Sequence, residues 1–302
     1  WLLFVKEKYY GKSEVGTAMF RIEEKTMLNA SVARMVLHAP LIAAKVLPGQ
    51  FIIFRIDEYG ERVPLTVADY DRTAGTITLI FQLVGATTKQ LATLQAGDSI
   101  LDLVGPLGVP THLPEGCQSV CVIGGGVGCA IAYPQAKYLH KKGLQVDTIA
   151  GFRNRDIVIL EEEFRACSDN LYLCTDDGSY GTKGFVTNVL QQQLDAGKHY
   201  DAVIAIGPVP MMKFVCKVTE PQQIPTIVSL NPIMIDGTGM CGCCRVTVDG
   251  KIRYACVEGP DFDGHKVDFE ELMQRNTTYR AQEREADCRM MQQAEHLTAK
   301  EA

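Results

Sequence analysis

The chain has no apolar run near the roughly 20 residues a helix needs to cross a bilayer. The longest candidates, around Val120–Ile123 and Ala202–Ile206, are interrupted quickly. It has no excess of positive charge: 30 Lys and Arg against 36 Asp and Glu leave a net charge of −6. Nucleic acid and anionic membranes both select clustered cations, so neither is expected as a partner, and a small molecule or a protein is favoured. Histidine is sparse; the six are scattered, and no paired carboxylates occupy a loop that reads as catalytic. No general acid, base or nucleophile is therefore evident. The opening "WLLFVKEKYYGK" lacks the small-residue cleavage site of a signal peptide. It also lacks an initiator Met, so a trimmed or tagged start is expected, and no functional reading is drawn from residues 1–17. A cytoplasmic protein is expected.

What is present is a globular composition, with 46% hydrophobic and 22% charged residues. At 302 residues the chain is long for one core, and two or three domains are expected. From about Phe20 to Gly108, apolar and polar residues alternate, with turn signals at "PGQ" (48–50), "DEYGE" (57–61) and "DRTAG" (71–75). This is the pattern of a small antiparallel barrel or sandwich, with "GTITLIFQLV" (75–84) its clearest strand. From about Gly116 to Leu230 the style changes to strand, glycine loop, helix. "SVCVIGGGVGCAIAYPQAKYLHKKG" predicts a buried strand, a glycine turn and a helix stopped at Gly143, and further strands follow in "LQVDTIAGF", "NLYLCTDDG" and "YDAVIAIGP". Such alternation implies a doubly wound parallel sheet with its ligand at the carboxyl ends of the strands. The expected division is a barrel over 18–112, an α/β domain over 113–230, a glycine- and cysteine-rich segment over 231–266, and a helix and tail over 267–302. Asp268 followed by Glu271 predicts the start of that helix.

Several motifs can carry chemistry. Gly124, Gly125, Gly126, Val127 and Gly128 follow a strand and open a helix, where amides and the helix dipole can meet a pyrophosphate, although Cys129 replaces the third glycine of G-x-G-x-x-G. The second strand ends at "GFRNR", offering Arg153 and Arg155 instead of an acid for a ribose hydroxyl, so NAD versus NADP stays open. "RVPLTV" (62–67) puts an arginine, a proline-fixed turn and a hydroxyl on a strand, and "QLVGATTKQL" (82–91) puts a glycine and two threonines at a helix start. Taken alone, each could be ordinary packing, cap or surface.

Of the eleven cysteines, Cys121, Cys174 and Cys216 lie in apolar contexts and are read as small buried hydrophobes. Cys241, Cys243, Cys244 and Cys256 form a denser group. The order Asp236-x₄-Cys241-x₂-Cys244-x₁₁-Cys256 is close to the C-x₄-C-x₂-C…C spacing of plant-type [2Fe–2S] sites, with Asp in the first position. Zinc would prefer two C-x-x-C knuckles or histidines, and only His265 is near; structural thiols would also account for the group, whereas a disulfide has to explain vicinal Cys243 and Cys244 in a reducing compartment.

Taken in order, "PGQF", "RVPLTV", "VGATT", "GPLG", "VIGGGVG", "TDDGSYGTKG" and "IGPVPMM" resemble the ferredoxin reductase superfamily over roughly residues 20 to 230. That resemblance implies FAD on the barrel, flanked by Arg62, Pro64, Leu65 and Thr66, with Gly85, Thr87 and Thr88 at its pyrophosphate. It further implies a nicotinamide nucleotide at Gly124 to Gly128, Arg153, Asp176, Gly207 and Met211. The segment "DGTGMCGCCRVTVDGK" to "ACVEGPDFDGH" resembles the small subunits of NADH-dependent reduced ferredoxin:NADP oxidoreductases, with the electron-transfer subunits of dihydroorotate dehydrogenase B as a sister group. In the first group one Asp and three Cys hold the cluster; in the second the first ligand is Cys. Asp236 favours the first, whereas Cys243 departs from an expected small residue. The resemblance implies NAD(H), FAD, a [2Fe–2S] cluster and a larger flavin and iron–sulfur partner subunit, with ferredoxin reached through the complex. A rival of another class is a nucleotide-responsive regulatory subunit whose thiols hold zinc.

Overall fold

The computed structural model describes residues 19–289. The remainder of the expected tail, 290–302, and residues 1–18 lie outside the described residues.

The first domain runs through β1 (Phe20–Asn29), β2 (Val32–His38), α1 (Pro40–Ala43), β3 (Phe51–Arg55), β4 (Val63–Asp71), β5 (Thr76–Gln82), α2 (Ala86–Leu91), β6 (Ser99–Ile100) and β7 (Asp102–Leu107). Its seven strands form an antiparallel sheet in the order β6-β1-β2-β5-β4-β3-β7. The two edge strands are separated in sequence only by Leu101, whose amide donates to the Ile56 carbonyl, so the sheet curls into a nearly closed barrel. Inward residues such as Ile22, Leu37, Phe54 and Phe81 are fully buried, each contributing about 1.5–3 kcal/mol relative to exposure. Pro64, expected to fix a turn, lies within β4 opposite Ile53.

The second domain contains β8 (Ser119–Gly125), α3 (Cys129–Lys141), β9 (Gln145–Phe152), α4 (Glu161–Arg165), β10 (Asn170–Thr175), β11 (Thr182–Lys183), α5 (Val186–Asp195), β12 (Ala202–Ile206), α6 (Val209–Thr219) and β13 (Thr226–Ser229). These strands are parallel, in the order β11-β10-β9-β8-β12-β13. The chain moves outward from β8 on one side and returns to start the other side with β12, which puts a topological switch point at the carboxyl ends of those two strands. Near-continuous burial of β8, β9 and β12 is what a sheet covered on both faces requires. Cys121 and Cys174 in these strands and Cys216 on α6 are buried, as their contexts predict.

The cysteine-rich segment contributes β14 (Arg245–Val248), β15 (Lys251–Tyr254), α7 (Ala255–Glu258) and β16 (Asp261–Asp263), followed by α8 (Phe269–Arg275). β14 and β15 make a separate hairpin, but β16 adds antiparallel to β13 at the edge of the α/β sheet. Cys244, Val246, Cys256, Phe269 and Leu272 share one core with Phe51 and Ile53 of the barrel and with β8 and β12 of the α/β domain. The segment is therefore wedged against both larger domains. Asp268 caps α8 by accepting from the Glu271 amide at 2.9 Å. The helix breaks after Arg275, where Thr277 and Thr278 hydroxyls donate back to the Gln274 and Arg275 carbonyls, and a further helix starts at residue 280. No helix among the described residues is long and apolar enough to cross a membrane.

Candidate functional site

The two barrel motifs adjoin. Arg62 precedes β4, which carries Pro64, Leu65 and Thr66, while Gly85 caps α2 ahead of Thr87 and Thr88. Thr87 Oγ1 donates to the carboxylate of Glu61 at 2.6 Å, tying the two together. Thr88 Oγ1 accepts from the amides of Val84 and Gly85 and donates to the Gly85 carbonyl, so this hydroxyl serves the helix start. The Arg62 guanidinium reaches the Ile235 carbonyl at 2.8 Å, a contact 173 positions away that no local pattern announces.

Gly124 to Gly128 turn from β8 into α3 at the switch point. Gly126 has φ +57°, a left-handed value that costs a residue with a Cβ roughly 1–2 kcal/mol, and the space where its Cβ would point is open. A Cβ on Gly207 would lie 3.2 Å from Gly125 Cα and 2.9 Å from Met211 Cε, so these three residues meet at the mouth between β8 and β12. Arg153 and Asp176 are exposed at the ends of β9 and β10, joined by the Asp176 amide donating to Phe152 and the Asp177 amide to Arg153. They lie at the carboxyl ends of the strands one and two places from β8. Arg155 stacks over Tyr180 at 5.3 Å, and the Tyr180 hydroxyl donates to Glu161.

The loop 235–244 wraps through Gly237, Gly239 and Gly242, with φ of +78°, +78° and +68°. Asp236 accepts from the Thr238 amide at 2.9 Å and from the Cys241 amide at 3.0 Å, and these bonds hold its carboxyl below the usual range. Cys244 and Cys256 form a buried pair: the Cys244 thiol donates to Cys256 Sγ at 3.1 Å, and the Gly239 amide donates to the same sulfur at 3.1 Å. Burial, with the Cys244 thiol beside it, pushes the Cys256 thiol up to about 12, so any metal bound there must displace protons. Cys241 is exposed; Cys243 is partly exposed, and its thiol is raised mainly by burial and by the adjacent Cys241.

Among the described residues no three His, Cys, Asp or Glu side chains converge as they would on a single metal ion. His265, the one histidine close in sequence, is bonded through Nε2 to Thr219 Oγ1 at 2.9 Å. The candidate donors lie instead in two neighbouring groups, Asp236 bonded to the Cys241 amide with Cys243 beside Cys241, and Cys244 bonded to Cys256, a spread that suits a cluster better than one ion. Loop amides directed at Asp236 and Cys256 are the donors such anionic ligands require. The donor set thus fits an iron–sulfur cluster.

Comparison with known proteins agrees. Residues 231–268 match the family model described as the iron–sulfur cluster binding domain of dihydroorotate dehydrogenase B. A Thermotoga maritima protein described as a dihydroorotate dehydrogenase B (NAD(+)) electron transfer subunit homolog is 45% identical over 269 residues, covering 89% of this chain and 94% of its own. The chain belongs to the dihydroorotate dehydrogenase B electron transfer subunit family. A chain from the solved structure of an NADH-dependent reduced ferredoxin-NADP oxidoreductase matches with TM-score 0.85 and 42% identity, over 92% of this chain and all of that one. A ferredoxin reductase of a carbazole 1,9a-dioxygenase shares the fold alone, with TM-score 0.57 and 18% identity over 68% of this chain and 66% of that one. The expected architecture of barrel, α/β domain and C-terminal iron–sulfur segment is therefore present. As a member of this family the chain is an oxidoreductase electron-transfer subunit whose cofactors are FAD, NAD(H) and an iron–sulfur cluster.

Three features were not legible in the motifs. Arg275 and Arg245 bind carbonyls of the cluster loop. Asp261 is held by the Thr111 hydroxyl, which itself accepts from Gln135, so one chain of hydrogen bonds links β16, the interdomain linker and α3. The Arg275 and Asp261 contacts depend on residues brought together from distant parts of the chain, whereas Arg245 lies three residues from the carbonyl it binds.

Proposed function

We propose that this chain is the NAD(H)-linked electron-transfer subunit of an electron-bifurcating NADH-dependent ferredoxin:NADP oxidoreductase, joined to a larger flavin and iron–sulfur subunit. The observation that carries this reading is Asp236. A carboxylate, fixed by two loop amides, stands in the first ligand position of the cluster segment, where the dihydroorotate dehydrogenase group is expected to have cysteine. The structural match to the ferredoxin-NADP oxidoreductase chain supports it.

In this reading Asp236, Cys241, Cys244 and Cys256 hold a [2Fe–2S] cluster. Arg62, Pro64, Leu65 and Thr66 with Gly85, Thr87 and Thr88 line the FAD site, and Gly124 to Gly128, Arg153, Asp176, Gly207 and Met211 line the NAD(H) site. When bound, FAD supplies the conversion between two-electron exchange with nicotinamide and one-electron exchange with the cluster. The chain's own work is positional. The open, positive-φ turn at Gly126 lets a pyrophosphate approach the amides at the start of α3. Arg62 offers a cation at the flavin site and ties that site to the cluster loop through Ile235. The division into 18–112, 113–230, 231–266 and 267–302 assigns FAD, nucleotide and cluster to successive segments. Ile235, Met240, Tyr254 and Val257 are exposed around the cluster loop, Met240 by 89%, and form the face we assign to the partner subunit.

The purified single chain is expected to contain flavin and iron and to reduce artificial acceptors with NADH, yet to lack NADP- and ferredoxin-linked turnover until the larger subunit is added. Full turnover by the single chain refutes the subunit reading. Restored turnover only with a dihydroorotate-oxidising partner assigns the chain to the sister system.

A further inference from the structure

The cluster loop is anionic once its thiols are deprotonated, yet its backbone is held by cations from three different elements. Arg62, ahead of β4, donates to the Ile235 carbonyl at 2.8 Å; Arg245, opening β14, donates to Gly242 at 3.3 Å; Arg275, closing α8, donates through Nη2 to Cys243 at 3.1 Å. None of these guanidinium groups pairs with a carboxylate among the described residues, although eleven other ion pairs occur there.

Arg275 differs from the other two. It is partly buried, and its Nε–H is fully buried with no acceptor among the described residues. Leaving a buried donor unmet is unfavourable, and more so for a charged group, so its persistence beside the loop needs a reason. The helix that delivers it is firmly seated: Phe269 and Leu272 are in the shared core, Asp268 caps the first turn, and Glu270 pairs with Lys213 of α6. The carbonyl it holds belongs to Cys243, between the ligand positions Cys241 and Cys244.

We propose that Arg275 is a positioning residue of the electron-transfer site: it holds the backbone between Cys241 and Cys244 and, through its fixed positive charge, raises the reduction potential of the cluster. This rests on the ligand set given above. Reduction adds one electron, and so one negative charge, to the loop without making or breaking a bond. A cation fixed in a poorly solvated position stabilises that added charge more than an exposed one can, because water screens it less. Arginine does not release its proton in proteins, so the effect is independent of pH in the working range.

The test is potentiometric titration of the iron-loaded chain followed by electron paramagnetic resonance. The wild type comes first: if it holds no iron or shows no cluster signal, the ligand set fails, separately from any role of Arg275. With the cluster present, Arg275→Gln is expected to lower the one-electron equilibrium constant for reduction about tenfold, or about 59 mV. Arg275→Lys, which keeps the charge, is expected to shift it by less than half as much. An unchanged potential in Arg275→Gln, or equal shifts in the two variants, overturns the proposal. If Arg275→Gln retains no iron, the lysine variant decides: a potential near wild type supports the charge role, a downward shift of about 59 mV or more overturns it, and loss of iron there too reduces Arg275 to a structural residue and also overturns it.

Discussion

Replacing Asp261 with asparagine should change how stability depends on pH, by an amount the structure allows to be worked out. Asp261 sits on β16 where the barrel linker, α3 and the cluster segment meet. Its Oδ2 accepts from Thr111, whose hydroxyl accepts in turn from Gln135, while its Oδ1 is buried without a hydrogen-bond partner among the described residues. Burial raises its pKa from 3.8 to about 6, with the hydroxyls of Thr111 and Ser229 offsetting part of the rise. Between these two values the folded chain keeps a proton that the unfolded chain has released. Stability contributed by this group is therefore greatest at low pH and falls as pH rises through the window, by roughly two units at 1.36 kcal/mol each, or ~3 kcal/mol. Asparagine still offers Thr111 an acceptor but does not titrate. Urea denaturation of wild type and Asp261→Asn, followed by circular dichroism from about pH 4 to about pH 7, isolates the effect, since the other carboxylates cancel in the difference. The variant should gain about 2.4 kcal/mol on the wild type across that range, the rest of the ~3 kcal/mol falling below about pH 4 where the unfolded carboxyl begins to ionise, whatever the constant offset between them. Parallel profiles would show that the carboxyl ionises as easily in the folded chain as in the unfolded one, and would refute the reasoning.

Cys244→Ser should remove most iron, because its sulfur is paired with Cys256 in the buried half of the site, whereas Cys243→Ala should retain it; the opposite pattern in iron analysis would exchange the two cysteines in the ligand set. Gly126→Val should slow flavin reduction by NADH at least tenfold, since it both strains a φ of +57° and fills the open side of the turn. The cluster spectrum should stay intact, and a normal rate would place the nucleotide elsewhere.

Much of the architecture follows from local pattern. Alternation over 75–84 is β5, the apolar run before Gly124 is β8, and the spacing from Gly128 to Gly143 holds α3, because strand and helix periodicities are properties of adjacent residues. The placement of Asp236, Cys241 and Cys244 in one glycine-rich loop was legible for the same reason: nine residues contain all three. Cys256 was included only on its spacing, and the fold sets it beside Cys244 by reversing the chain through the β14–β15 hairpin.

What the sequence by itself determined was the order of barrel, α/β domain and cysteine-rich segment, since each is announced by short stretches whose backbone geometry the local pattern dictates. What only the tertiary structure decided was how those stretches meet. β16 leaves the cluster segment to extend the α/β sheet. Arg62 crosses from the start of β4 to the loop 235–244, Arg275 comes to Cys243 from a helix 32 residues later, and Asp261 becomes buried against Thr111 across 150 positions. Charged and polar side chains of this kind give no periodic signal. Whether each is a solvated surface group or a buried partner depends on what distant segments place beside it, and that is fixed only when the shared core of the three units closes.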